Sequence, residues 1–331
     1  MAQEVSLNYI VPLASKVLTK YGLSSDDAAA VISHLLDGEL SGHSSHGFYR
    51  IPGIVRVLKN KGAGSLITKE RETDVSCLVN GGGRLGLVVA KYSTDLAINK
   101  ALKNRIGIVG AYNYVGTTGA MGYYTRCVAE NNLIGIVMCN SEYAVAPWGG
   151  KKAILGTNPI SISFPSSNEP IVADLATSAW SYGDLALAMK EGRKIPEGIV
   201  IDKEGNPSTD PNDADNGCQL PMAGHKGYAL GLAIELLAGP FVNAKGGREA
   251  VEGSDGFIEI VLSPDLFTSL SAFIPKVDAV VEEIKNSPKI PSSDEILLPG
   301  ERSYRRRIEN KDKGIIRISE AVIKDLEELA Q

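Results

Sequence analysis

Between residues 75 and 176 the chain alternates short apolar runs with stretches of helical length, and that rhythm narrows the fold more than any other feature. VSCLVN (75–80), IGIVGAY (106–112), LIGIVMC (133–139), ISISF (160–164) and IVADLA (171–176) are too short for stable helices and rich in β-branched residues. Continuous apolar character over such runs marks strands covered on both faces. Residues 85–103, 117–131 and 176–191 read as helices. GHKGYALGLAIELLAG (224–239) is a further helix with small residues for close packing. FIEIVLS (257–263) is a late strand, and 264–287 and 318–330 read as helices. The expected class is mixed α/β.

Before residue 75 the pattern is helical. Ile10, Val11, Leu13, Val17 and Leu18 line one face of a helix over 5–21 that stops at Gly22. Ser24 is placed to cap a second helix, with Asp26 and Asp27 in its first turn and Ala28, Val31, Ile32, Leu35 and Leu36 as its apolar stripe. A third is expected from near His46 to about Asn60, with Gly62 as its stop. Residues 193–223 are rich in Pro, Gly, Asn and Asp and read as irregular. Residues 302–313, RSYRRRIENKDK, read as a solvated charge run.

The net charge of -5 does not favour nucleic acid, which calls for a basic face. No apolar run reaches the length of about 18 residues that a membrane span needs. The opening MAQEVSLNYIVPL lacks the basic and apolar regions of a secretory signal. Cys77, Cys127, Cys139 and Cys218 form no C-x-x-C pair and no zinc-type spacing, so no metal site is expected, and the first three lie in apolar segments as buried thiols. A cytoplasmic protein is the expectation.

Residues 81–86, GGGRLG, match the dinucleotide fingerprint G-x-G-x-x-G between a strand and a helix. The acidic residue expected after the next strand is missing, since that strand ends in Ala111, Tyr112 and Asn113. The glycines therefore read as a tight turn, and a nucleotide is expected to bind elsewhere.

Four stretches hold residues suited to chemistry. In SGHSSHGFYRIPG (41–53), His46 and Arg50 stand at helical i, i+4 spacing, a proton donor beside a carboxylate anchor, or else an ordinary polar helix face. NSEYAVAPWGGKKAILGTNPISISFP (140–165), which ends its loop in GTNP with Asn158 before Pro159, reads either as a site loop or as a long connection. In VADLATSAWSYG (172–183), Asp174 ends a strand where Thr177 and Ser178 stand ready to cap a helix whose free amides attract phosphate. In PMAGHKGYALG (221–231), His225 and Lys226 precede a helix, where Lys226 can meet a phosphate or simply be solvated.

Taken together, these stretches resemble the type 2 malate/L-lactate dehydrogenase family, which includes sulfolactate, ureidoglycolate and diketogulonate dehydrogenases and cyclic imino acid reductases. DGELSGHSSHGFYRIPG, APWGGKKAILGTNPI, VADLATSAWSYG, KIPEGIVIDKEGNPSTDP, LPMAGHKGYALGLAIELLAG and LPGER match in order and spacing over nearly the whole chain. The resemblance implies a non-Rossmann, L-sulfolactate dehydrogenase-like fold and an oxidoreductase using NAD or NADP. It implies a homodimer with the active site near the subunit interface, and a small anionic substrate. Residues 1–74 with 290–331 would form a helical substrate and dimerisation region, and 75–289 the α/β cofactor-binding region. His46 corresponds to the family's proton-transferring histidine and Arg50 to an arginine that holds substrate. Cofactor contacts fall on Ser141, Asn158, Asp174, Leu175, Ala176, Thr177, Ser178, Ala179, Trp180, His225, Lys226, Gly300, Glu301 and Arg302.

One departure is visible. The family's N-H-x-G is here Asn113, Tyr114, Val115 and Gly116, and a tyrosine is a poor base near neutral pH. Three readings follow. The first is reversible reduction of a small 2-oxo acid to a 2-hydroxy acid, with His46 as general acid and base. The second is reduction of the C=N bond of a cyclic imino acid, which needs no acid in the hydride step. The third is a cofactor-binding protein without catalysis.

Overall fold

The computed structural model describes residues 2–251 and 253–331. Strand β1 (Ala2–Ser6) runs into α1 (Leu7–Lys20), where the Ser6 hydroxyl accepts the Asn8 amide hydrogen. Ser24 caps α2 (Ser25–Leu40) as its position predicts, taking the Asp27 amide hydrogen at 3.2 Å. The third helix starts later than expected. It is α3 (Ile51–Lys61), stopped by Gly62 at φ 73°, and residues 44–50 form two short 3-10 turns instead. The chain continues through β2 (Thr68–Glu72), β3 (Ser76–Asn80), α4 (Gly86–Asn104), β4 (Ile106–Tyr112), α5 (Met121–Ala129), β5 (Ile134–Cys139), β6 (Ile160–Phe164) and β7 (Ile171–Leu175).

Helix α6 (Tyr182–Glu191) begins well after residue 176, and its cap is Ser181, not Thr177 or Ser178. The reason lies in the intervening amides: Thr177 donates to the Thr157 carbonyl and Ala179 to that of Leu220, which ties 176–181 across neighbouring segments. Residues 193–223 are not irregular throughout. They hold β8 (Val200–Ile201), β9 (Pro207–Ser208), α7 (Asp213–Asn216) and β10 (Cys218–Gln219), with the strands in a small antiparallel sheet. Helix α8 (His225–Ala238) and β11 (Phe257–Leu262) follow as expected. The predicted helix over 264–287 is a 3-10 turn followed by α9 (Leu270–Lys285). The charge run is a helix, α10 (Glu301–Lys313), leading to β12 (Ile315–Ser319) and α11 (Glu320–Ala330).

The main sheet has seven strands in the order β2-β3-β4-β11-β5-β6-β7. Only β3 and β4 run parallel, and β11 enters late in sequence between β4 and β5, antiparallel to both. A doubly wound nucleotide fold is parallel and has a switch point between its halves, so this sheet is not of that kind. Its apolar strands are nonetheless covered on both faces. Helices α4 and α5 pack one face around Val79, Val109, Val137 and Phe257, and α8 packs the other around Met138, Ile234 and Ile258. A separate core joins α1, α2, α3 and α11 with the β1–β12 pair. Among the described residues, no helix is long and apolar enough to cross a membrane.

The GGGRLG stretch is a filled turn. Gly81 and Gly83 donate to the carbonyls of Tyr112 and Asn113, and a Cβ on Gly81 would lie 2.9 Å from the Asn113 oxygen. Gly82 is held as closely, since a Cβ there would lie 2.6 Å from the Leu66 carbonyl oxygen.

Candidate active site

The loop after α2 is shaped from beneath by Glu39. Its Oε1 accepts the Phe48 amide hydrogen at 2.8 Å, and a Cβ on Gly47 would collide with that same oxygen at 2.1 Å. Gly47 therefore lies flat and extended (φ -98°, ψ -155°) and splits the segment into the turns Ser44–His46 and Phe48–Arg50. Glu39 is buried and keeps its second oxygen unpartnered, and burial raises its carboxyl to about 7 against the hydrogen bonds that favour the anion.

His46 and Arg50 are thus not on one helix face, which corrects the spacing argument. The Arg50 Nε donates to the Ser45 carbonyl at 2.6 Å, which folds the guanidinium back along the loop. Burial first, then the charges of Arg50 and His43, lower His46 to about 4, while Asp184 opposes the shift. Asp184 arrives with the start of α6, where Gly183 packs on the Ser45 side chain. His43 is drawn the other way: its Nε2 bonds the Ser303 hydroxyl of α10 at 2.8 Å. Burial lowers its pKa too. Ser44 and Ser45 stay open to solvent, while His46 beside them is half-buried.

The Gly122 amide donates to Asp174 Oδ2 at 2.8 Å. Asp174 ends β7 open to solvent yet ringed by protein, and this crowding raises its carboxyl to about 6. Leu175 beside it is exposed, and Ala176, Ala179 and Trp180 are half-buried, the last under the Arg193 guanidinium.

A second group of expected residues converges at α8. The Thr157 amide donates to the Ser141 hydroxyl at 3.1 Å. Thr177 Oγ1 donates toward the carbonyls of Thr157 and Asn158, and its own carbonyl accepts the Met222 amide hydrogen. Asn158 is fully buried, and its Nδ2 reaches the Gly231 carbonyl at 2.9 Å and Glu235 Oε2 at 2.6 Å. Its Oδ1 has no partner. Ser178 is buried and bonded to the Trp180 carbonyl. His225 and Lys226 are exposed in the first turn of α8 rather than before it, His225 edge-on to Trp148. The segment 174–184 runs from this group to Ser45. Gly300 packs on Val172 of β7 and Arg302 is exposed, whereas Glu301 is buried and clasped by Lys285, Arg305 and the Leu298 amide.

Tyr114 takes no part. It is 1% exposed, and its hydroxyl donates to Asp255 Oδ2 at 3.1 Å, at the entrance to β11. Sequence reasoning passed over Glu39, Asp184 and His34. His34 is 2% exposed with its Nε2 accepting the Ala120 amide hydrogen at 3.0 Å. A lone histidine inside an apolar helical stripe was the available signal. Glu39 and Asp184 gave none, since a loop folding back onto a helix leaves no spacing rule.

Comparison with known proteins matches this arrangement to a family. The malate/L-lactate dehydrogenase family model matches residues 5–327. The chain belongs to the malate/L-lactate dehydrogenase family. It is 41% identical over 328 residues to a malate/(S)-sulfolactate dehydrogenase of Methanothermus fervidus, covering 96% of this chain and 94% of that protein. It is 33% identical over 275 residues to a Delta(1)-pyrroline-2-carboxylate reductase of Burkholderia ambifaria, covering 82% and 80%. The structure of a sulfolactate dehydrogenase from Methanocaldococcus jannaschii superposes with a TM-score of 0.90 at 34% identity, covering 99% of this chain and 96% of that one. The mixed, non-Rossmann α/β fold expected from the sequence is the fold of this dehydrogenase family.

Proposed function

We propose that the protein is a nicotinamide-dependent oxidoreductase that interconverts a small 2-oxo acid and its 2-hydroxy acid, of the malate or sulfolactate type, with NAD or NADP. The Arg50 guanidinium, folded back onto the carbonyl of the residue before His46, is the observation that supports this reading best. Arg50 spends only its Nε on Ser45, so the two outer nitrogens remain to hold a substrate carboxylate by parallel hydrogen bonds. A bound carboxylate offsets the Arg50 charge, one of the causes that hold His46 low. Burial, the larger cause, stays in place, so the bound carboxylate shifts His46 upward only by what Arg50 had lowered it. In reduction His46 gives its proton to the oxygen on which charge develops, and in oxidation it takes that proton back. Asp184 favours the protonated ring.

The residues fit a dinucleotide. Asn158 keeps a buried amide oxygen without a partner, and Lys226 stands at the amide-rich start of α8, where anionic groups are favoured. Ser141, the 174–180 segment, His225, Lys226 and the 300–302 turn would hold it. When bound, the nicotinamide gives or takes the hydride at the substrate carbon. In this reading 75–289 carries the cofactor, and 1–74 with 290–331 the substrate. The protein works as a homodimer, which the apolar outer face of α8 supports, in a reducing cytoplasmic compartment, which its four free thiols support.

The test is a panel of 2-oxo acids and cyclic imino acids assayed with NADH and NADPH. Turnover of a 2-oxo acid is expected, reversible with the matching hydroxy acid. Turnover of cyclic imines alone would transfer the assignment to C=N reduction, and cofactor binding without any turnover would end the catalytic reading.

A further inference from the structure

His34 stands on α2 in the buried stripe with Val31 and Leu35. One turn along the same face, Gly38 supports His46: a Cβ there would come within 2.8 Å of the His46 carbonyl oxygen. The His46 main chain therefore rests on α2 one turn from the His34 ring. After burial, His46 is the leading influence that pushes His34 down to about 3.

The hydrogen bonds settle the form of the His34 ring. Its Nε2 accepts from the Ala120 amide, so the neutral imidazole carries its hydrogen on Nδ1. That Nδ1 is buried and has no partner, and neither has the buried Nδ1 of His46. The rings of Tyr123 and Tyr124, at 4.8 and 5.3 Å between centroids, hold the plane of His34. Two histidines packed one turn apart along α2 thus present two buried nitrogens and no acceptor. Buried polar groups left in this way are commonly served by an ordered water.

We propose that His34 is a positioning residue for His46, the two Nδ1 atoms sharing one buried water whose oxygen takes a hydrogen from each ring. His46 is thereby held with Nε2 toward the cleft, and its protonated form gains the acceptor it needs on the far side. The proposal rests on His46 being the proton donor. Arg50, His43 and Asp184 face His46, and Arg126 faces His34, so the water acts within a field already biased by these charges.

Two variants separate this role from simple anchoring. His34→Gln keeps an acceptor for the Ala120 amide but loses the Nδ1 hydrogen. His34→Asn places an N–H where Nδ1 was. In His34→Gln, kcat for reduction should fall about tenfold with KM little changed, a fraction of what a general acid supplies. The protonated ring loses its acceptor, so the alkaline limb of the kcat profile should move to lower pH. His34→Asn should recover most of kcat and restore the limb. A His34→Gln enzyme with the wild-type kcat and pH profile overturns the proposal. So does imidazole 15N NMR of the wild-type protein if His34 Nδ1 carries no hydrogen between about pH 5 and 8, a measurement that stands even where the variants do not fold. His46→Ala keeps the two ideas apart. If it retains full turnover, the general-acid reading fails. If it is inactive while His34→Gln is normal, only the positioning role fails.

Discussion

His46 and Arg50 were legible as single residues, yet the reason for pairing them was wrong. Helical spacing would have put them on one face, and Gly47 forbids that helix because Glu39 fills the space beneath it. Arg50 is instead folded back by the Ser45 carbonyl, a contact no spacing rule foresees. His46→Ala should cut kcat on a 2-oxo acid by about 10²–10⁴, and an unchanged kcat removes it from the chemistry. Arg50→Lys should chiefly raise KM, since a point charge cannot reproduce the two-pronged grip. A buried carboxyl elsewhere gives a stability test. Glu259 is fully buried in β11 with only the Thr94 hydroxyl as donor, and burial raises it to about 8. The folded protein therefore binds a proton there that the unfolded chain releases near its ordinary 4.5. The stability from that proton is present below 4.5 and is lost as pH rises through about 8. Glu259→Gln removes the titration, so its Tm relative to wild type should climb by about 2 °C or more between mildly acid and alkaline buffer. A constant difference across that range would show that the carboxyl does not titrate with folding.

At the scale of elements, burial decided what could be read. IGIVGAY and ISISF are strands over their full predicted length because alternate residues are buried in the core and their composition says so. TKERE at the sheet edge is exposed at every position and carries no pattern, so β2 was invisible. Helix α10 looked like a solvated charge run for the opposite reason: its charges are used. Arg307 meets Asp37 of α2 at 2.8 Å, Arg305 meets Glu295 and Glu301, and His43 meets Ser303. Asp37 also holds Arg126 of α5 at 2.6 Å, so one carboxylate ties α10 and α5 to the helix that carries Glu39 and His34. Asp37→Ala leaves the largely buried Arg307 unpaired and Arg126 with only its longer contact to Glu130 at 3.4 Å, and should cost about 3 kcal/mol, read from the urea midpoint. A loss below about 1 kcal/mol, the range of exposed pairs, would mean that the junction is wet and contributes little.

For the whole molecule, the strand–helix rhythm implied a layered α/β body, and that body is present. The order of the strands was out of reach, because nothing local tells β11 to enter between β4 and β5. The same limit applies to what lies outside one chain. Helix α8 buries Ile234 and Ala238 against the sheet, yet Leu232 and Leu236 on its outer side stay exposed at 37% and 54%, with Phe241 just beyond at 69%. A helix apolar on all sides belongs in an interior, and within one chain α8 has an interior on one side only. In the homodimer proposed above, a second copy placed face to face would supply the other, by a two-fold contact in which the same patch meets itself. The start of α8 holds Lys226, so closing that contact would also stiffen the proposed cofactor wall. Leu236→Asp puts a charge in the middle of the patch without touching the Asn158–Glu235 bonds on the inner side. Sedimentation should show dimers for the wild type and monomers for Leu236→Asp, with weaker NADH or NADPH binding in the monomer. A wild-type monomer, or a Leu236→Asp dimer of unchanged stability, would place the interface elsewhere and leave the outer face of α8 to another role.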